Sequence, residues 1–112
     1  MSQILNVSTA INNRTDVHIP KSKIVAIKSV QILHKCNEPH NKVIKVNTNL
    51  LENEENYGTI GHIFTNSKLD INEDIIYTDY YTDTINLFLT DQNDLPVNLH
   101  ENIYISMTLL VD

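Results

Sequence analysis

The stretch Ile103-Tyr104-Ile105-Ser106-Met107-Thr108-Leu109 decides the fold. Every odd position holds a large apolar residue, and the even positions hold Tyr, Ser and Thr. A side-chain period of two is what a strand with one buried face produces. Just upstream, Ile85-Asn86-Leu87-Phe88-Leu89-Thr90 reads as a second strand. The polar Asp91-Gln92-Asn93-Asp94-Leu95-Pro96 between them reads as a turn.

The same vocabulary recurs toward the other end of the sequence. Ile4 to Ala10 can form a short strand. The first twenty residues are polar and punctuated by Asn12-Asn13 and Pro20, so 1–20 is expected to be an extended arm, partly stranded, with the domain proper at 21–112. In Lys23 to Lys35 the β-branched residues follow no helical stripe, which predicts one strand, or two joined by a bend near Lys28-Ser29. Asn37-Glu38-Pro39-His40-Asn41 is a turn signal, after which Lys42 to Thr48 completes a hairpin. Leu50 to Gly58 is expected as a polar loop. Thr59 to Phe64 reads as a strand in which Gly61 marks a bulge or a close backbone approach. Asn66-Ser67-Lys68 turns the chain, and Ile75 to Thr78 opens the next strand.

These segments add up to about seven or eight short strands and no helix, the pattern of a single all-β, two-sheet β-sandwich of jelly-roll-like type. A closed barrel is the alternative. At 112 residues the chain is one domain, and such a chain buries about 65% of its unfolded surface, enough for a core without staples.

Composition narrows the function classes. A net charge of -6 argues against a nucleic-acid partner, because phosphate binding needs a cationic face. Lysines gather in the first half (Lys21, Lys23, Lys28, Lys35, Lys42, Lys45) and acids at Glu52, Glu54, Glu55 and from Asp70 to Asp94. Solvated faces account for both clusters, with head-to-tail pairing of subunits as the alternative. The lone Cys36 has no partner for an internal disulfide. Met1-Ser2-Gln3 leads into only a short apolar stretch, so no signal peptide is expected, and no run is long enough to span a bilayer. Asn6-Val7-Ser8 and Asn13-Arg14-Thr15 are then glycosylation triplets in a chain expected to stay in a reducing cytosol.

No arrangement of residues asks for chemistry. Cys36 and His40 have finger-like spacing, and His34 lies close, but the second ligand pair of a structural zinc is missing. Asp70-Ile71-Asn72-Glu73-Asp74 matches the opening of a calcium loop, yet Ile75 and Tyr81 stand where the Gly and the bidentate Glu belong. There is no Gly-x-Ser-x-Gly elbow and no glycine-rich phosphate loop. No cofactor, no metal and no catalytic residue is expected. The remaining candidate is Tyr77, Tyr80 and Tyr81, interleaved with Asp79 and Asp83. Tyr combines apolar area with a polar tip, as protein interfaces and carbohydrate sites both require, although a strand edge covering the core would use it too.

Leu89-Thr90-Asp91-Gln92-Asn93-Asp94-Leu95-Pro96-Val97-Asn98-Leu99, with the strand that follows it, resembles a C-terminal pattern found in the polinton, virophage and adenovirus-like group of DNA viruses. In that pattern Leu-Thr-Asp-Gln, a short turn and Pro-Val-Asp-Leu precede a final alternating strand. This sequence has Asn93-Asp94 where the pattern has Asp-Gly, and Asn98 where it has an acid. Asn adopts the left-handed conformation that glycine would take, so the turn is expected to survive. The resemblance implies a β-rich minor capsid or spike-associated protein. Such a protein is made in the host cytoplasm and resides in the virion, and it assembles as a trimer or pentamer with other capsid proteins as partners. A carbohydrate-binding β-sandwich is the alternative.

The register of the last strand makes a sharp expectation. Ile105 and Met107 point into the core, so Met107→Asp should bury an unpaired charge and lower the unfolding free energy by at least about 3 kcal/mol in urea titration. An equally stable variant would place Met107 on the outer face.

Overall fold

A computed structural model describes residues 2–34, 43–51, 58–64 and 69–112, and the architecture is all-β. The strands are β1 (Gln3–Ile11), β2 (Arg14–Leu33), β3 (Val43–Thr48), β4 (Gly58–Phe64), β5 (Leu69–Asn72), β6 (Ile76–Thr90) and β7 (Ile103–Val111). A 3-10 turn, Asn49–Leu51, follows β3. All observed pairings are antiparallel, in the order β1-β7-β2-β6-β3-β4, with β5 also on β2.

Two strands are far longer than the sequence pattern suggests. β2 runs for 20 residues and β6 for 15. The first half of β2 pairs with β6 (Arg14↔Phe88 to Ile27↔Ile76), and its second half pairs with β7 (Ile24↔Val111 to Leu33↔Tyr104). β5 takes over from β6 beside the end of β2, from Val30↔Asn72 to Leu33↔Leu69. The sheet therefore curls on itself. One half holds β1, β7, β5 and the end of β2, and the other holds β3, β4, the end of β6 and the start of β2.

The curl depends on places where the period of two is broken. Register shifts fall between His18 and Ser22, where Pro20 is accommodated, and between Ile24 and Ala26. Extra residues in one strand bend it and reverse which side chains face inward. On β2 the inward residues are odd up to Ile19, then Ile24, then Ile27, then Val30 and Ile32, so the parity changes at each shift. Ala26 is buried but shares its rows with the outward Tyr77 and Leu110. A further shift between Ile27 and Ser29 lies where a bend near Lys28-Ser29 is expected. β6 switches in the same place: the Thr82 hydroxyl donates to the Thr84 carbonyl at 2.9 Å and accepts from the Thr84 amide at 3.0 Å.

The core lies inside the curl and is built mainly from Ile, Val and Leu of every strand except β5. Ile105 and Met107 are buried, so the expected register of the last strand holds. Gly61 supplies the close approach read from the sequence. A Cβ built there would sit 2.9 Å from Ile32 Cδ1 on β2 of the facing half.

Three expectations are corrected. The first twenty residues are not an arm: β1 pairs with β7 along its whole length, Val7 and Ile11 are core residues, and Arg14 to Pro20 belong to β2. β3 does not form a hairpin with β2; it pairs with β4 and β6, because both edges of β2 are occupied by β7 and by β6 and β5. Leu69 to Asn72, where no strand is expected between the turn at 66–68 and Ile75, is strand β5. The turns expected at 37–41 and 66–68 and most of the loop at 50–58 lie outside the described residues.

The turn before β7 is held by Asp91. Its Oδ1 accepts the amides of Asn93 at 2.8 Å and Leu95 at 3.0 Å, and its own amide donates to the Leu95 carbonyl. The left-handed residue is Asp94 (φ 63), at the position where the viral pattern has Gly; Asn93 is not left-handed. Short polar Asp tolerates this conformation much as Asn does. The Leu99 amide then reaches the Asn12 carbonyl at 2.7 Å and fastens the connection to the β1–β2 turn.

Where β3 ends, a side chain continues its pairing with β6. Asn49 is buried, its Nδ2 donates to the Thr84 carbonyl at 3.0 Å, and its Oδ1 accepts the Asn86 amide at 2.9 Å. One carboxamide thus satisfies the two backbone groups that another strand residue would have met. Asn49→Ala should leave the Asn86 amide unpaired and the Thr84 carbonyl with the Thr82 hydroxyl alone, and cost about 2 kcal/mol, read from the urea midpoint at unchanged m-value. Asn49→Asp should restore only part of this, because a carboxylate accepts from Asn86 but cannot donate to Thr84.

Candidate functional site

The three tyrosines of the sequence reading sit on the first half of β6, and the strand divides them. Alternation sends Tyr77, Asp79, Tyr81 and Asp83 outward, while Tyr80 turns inward with Ile76 and packs against the core. Tyr77 is 78% and Tyr81 65% exposed. The two rings stand on one face, four residues apart, which is about 13 Å along a strand.

β2 supplies the cations beside them. Lys23 is the register partner of Tyr81, and its Nζ lies 3.4 Å from Asp79 Oδ1, between the two rings. Lys21 Nζ stands 5.2 Å from the centre of the Tyr81 ring, within range of cation–π attraction. Both groups of the Lys23–Asp79 pair are largely exposed, so the pair orients side chains more than it stabilises the fold. The result is an exposed strip of two aromatic rings flanking an ion pair. Such a strip can stack against a flat sugar face or meet another protein surface.

The remaining sequence candidates do not converge. His18, His62 and His100 are exposed on β2, β4 and the loop before β7, and His34 is buried at the end of β2. Cys36 and His40 lie outside the described residues. Among the described residues no group of three or more metal-ligating side chains comes together, and no helix is long and apolar enough to cross a membrane.

A second surface was hidden in the sequence because it is assembled across strands. On the outer face of β1 lie Ile4, Asn6, Ser8 and Ala10, all exposed. β7 presents Tyr104, Ser106, Thr108 and Leu110 beside them. Register carries the row Ala10–Tyr104 on to Leu33 of β2 and Leu69 of β5, and the row Ser8–Ser106 on to Gln31 and Ile71. Tyr104 is 57%, Leu33 52%, Leu69 51% and Ile71 52% exposed. No outward position in these rows carries a charge. The sequence signals only the outward residues of β7 (Tyr104, Ser106 and Thr108), by its alternation; their neighbours come from β1, β2 and β5.

No family model and no curated protein matches this sequence. Among solved structures, the chain is similar to the NLP core of Drosophila, whose crystal structure bears on pentamer formation and histone binding. The TM-score is 0.53 at 13% identity, over 98% of this chain and 99% of that one. It is also aligned with the capsid structure of Helicobacter pylori bacteriophage KHP30 (TM-score 0.49, 8% identity, 100% and 94% coverage). A third alignment is with the Yersinia pseudotuberculosis-derived mitogen (TM-score 0.34, 12% identity, 97% and 86% coverage). The likeness to the NLP core establishes a shared fold along the full length of both chains.

The division of the tyrosines has a measurable consequence. Tyr80→Ala should cost about 2 kcal/mol of stability through lost burial, whereas Tyr77→Ala and Tyr81→Ala should each stay within about 0.5 kcal/mol of the parent in urea unfolding. Equal costs at all three positions would contradict the alternation described for β6.

Proposed function

We propose that this protein is a non-enzymatic structural subunit that works by assembling with copies of itself and with other proteins of a particle. The observation that carries the reading is the end-to-end match of its sheet to the NLP core, a domain of the same extent whose structure bears on pentamer formation. The finer assignment, a minor capsid or spike-associated component of a virion made in the host cytoplasm, is supported by the segment Leu89 to Leu99 and the strand after it. The structure gives that segment a mechanical role: the turn around Asp91 and the Leu99–Asn12 bond deliver β7 to its place between β1 and β2.

A second reading has its own observation. Tyr77 and Tyr81, exposed on one face with Lys23–Asp79 between them, form a strip that suits a carbohydrate chain. Stacked aromatic residues and a few charged hydrogen-bonding groups are what such a ligand needs.

Light scattering on a sizing column separates the two. Assembly predicts the mass of the trimer or pentamer expected from sequence, with an interface above roughly 1,000 Å². A monomer at every concentration, combined with glycan-array binding that Tyr77→Ala and Tyr81→Ala abolish, would replace the first reading by the second.

A further inference from the structure

The protein carries 22 charged residues, 8 basic and 14 acidic. They are not spread evenly over its outer surfaces. The strip on β6 alternates Tyr with Asp and meets Lys21 and Lys23 of β2. Among the described residues, the outward positions of β1 and β7, continued through Ser29, Gln31 and Leu33 of β2 and Leu69 and Ile71 of β5, carry no charged side chain, and exposed Lys28 borders them beside Ser29. Lys28, at the β2 bulge, is the nearest cation along that strand. Its polar groups are small and in part satisfied within the face: the hydroxyls of Ser8 and Ser106 lie 3.2 Å apart, and the Thr108 hydroxyl donates to Asn6 Oδ1 at 3.2 Å.

We propose that this neutral face is where a second copy of the chain docks. The inference rests on the assembly reading and adds the surface to it. Depletion of charge together with exposed aromatic and aliphatic side chains is the compositional mark of the centre of a protein interface. Charge also selects the occupant. A cationic partner would gain nothing from this face. Two copies that each carry -6 repel one another wherever their charged surfaces meet, so a face without charge is where they can approach.

The size is consistent with that occupant. A strand of nine residues is about 30 Å long and neighbouring strands are about 4.8 Å apart. Two full strands and two short segments then present about 450 Å² per copy in plan. Two copies cover about 900 Å² before side-chain relief is counted, close to the roughly 1,000 Å² of a specific interface.

The test places a cation at the centre of the face. Ser106→Lys and Tyr104→Lys change exposed, outward residues, and Gln92→Lys adds the same charge on the exposed turn before β7. Each variant also lowers the net negative charge, so any general electrostatic effect would favour association. Circular dichroism confirms that each variant is folded, and mass is followed by light scattering over a dilution series. The expected result is that the parent and Gln92→Lys associate alike, while Ser106→Lys and Tyr104→Lys dissociate at least tenfold more readily. If the parent associates and both face variants match it, the docking face is wrong while assembly stands. If the parent is monomeric throughout, self-assembly fails and this proposal fails with it.

Discussion

One strand serves two halves of the sheet, and the rest of the structure follows from it. β2 must pair with β6 at its start and with β7 at its end while remaining a single covalent strand. A straight strand would keep one set of side chains on one face for its whole length, and only one half of the curl could then be lined with apolar groups. The shifts at His18–Ser22 and Ile24–Ala26 solve this by bending β2 and changing which residues point inward. β6 follows with its own switch at Thr82–Thr84, so two strands turn the corner side by side and the Thr82 hydroxyl meets both backbone groups of Thr84. With the corner made, Gly61 on β4 can lie against Ile32 on β2, and the two halves close over one core.

The same corner explains which parts of the fold can be read in the sequence. β7 is legible to the residue because it is straight, and its period of two is unbroken from Ile103 to Val111. β2 is not, because each bulge resets the period and a 20-residue strand then reads as shorter pieces. Pro20 reinforces that misreading: a residue without an amide hydrogen looks like the boundary of an arm, yet it fits where the pairing with β6 is already interrupted. The partner of β3 is illegible for a different reason. Alternation tells which face of a strand is buried but not which strand lies beside it, so the nearest segment in sequence is the natural expectation. Here both edges of β2 are taken, and β3 is left to find β6.

Surfaces obey the same division. The tyrosine group on β6 is visible as composition, but parity alone decides that Tyr80 belongs to the core and Tyr77 and Tyr81 to solvent. The neutral face has no compositional signal in any one segment, because its residues come from four strands and meet only through register. Ser and Thr at alternate positions of β1 and β7 look like ordinary solvent-facing residues. Their significance lies in what is missing from the rows they form, and a row crosses the chain instead of following it.

Electrostatic range gives that face its physical meaning. At physiological salt, charge is screened over about 8 Å. Four strands at about 4.8 Å spacing make the face wider than that distance. The acidic groups on the outer side of β6 therefore contribute little to the field at the middle of the neutral face, where Ser8 and Ser106 lie. On the assembly proposal an acidic protein faces opposite demands, since net charge favours solubility and resists every contact between copies. Sorting charge onto some strands and withholding it from others meets both demands. The curl makes the sorting feasible, because it gives one continuous sheet two outer surfaces that face different directions.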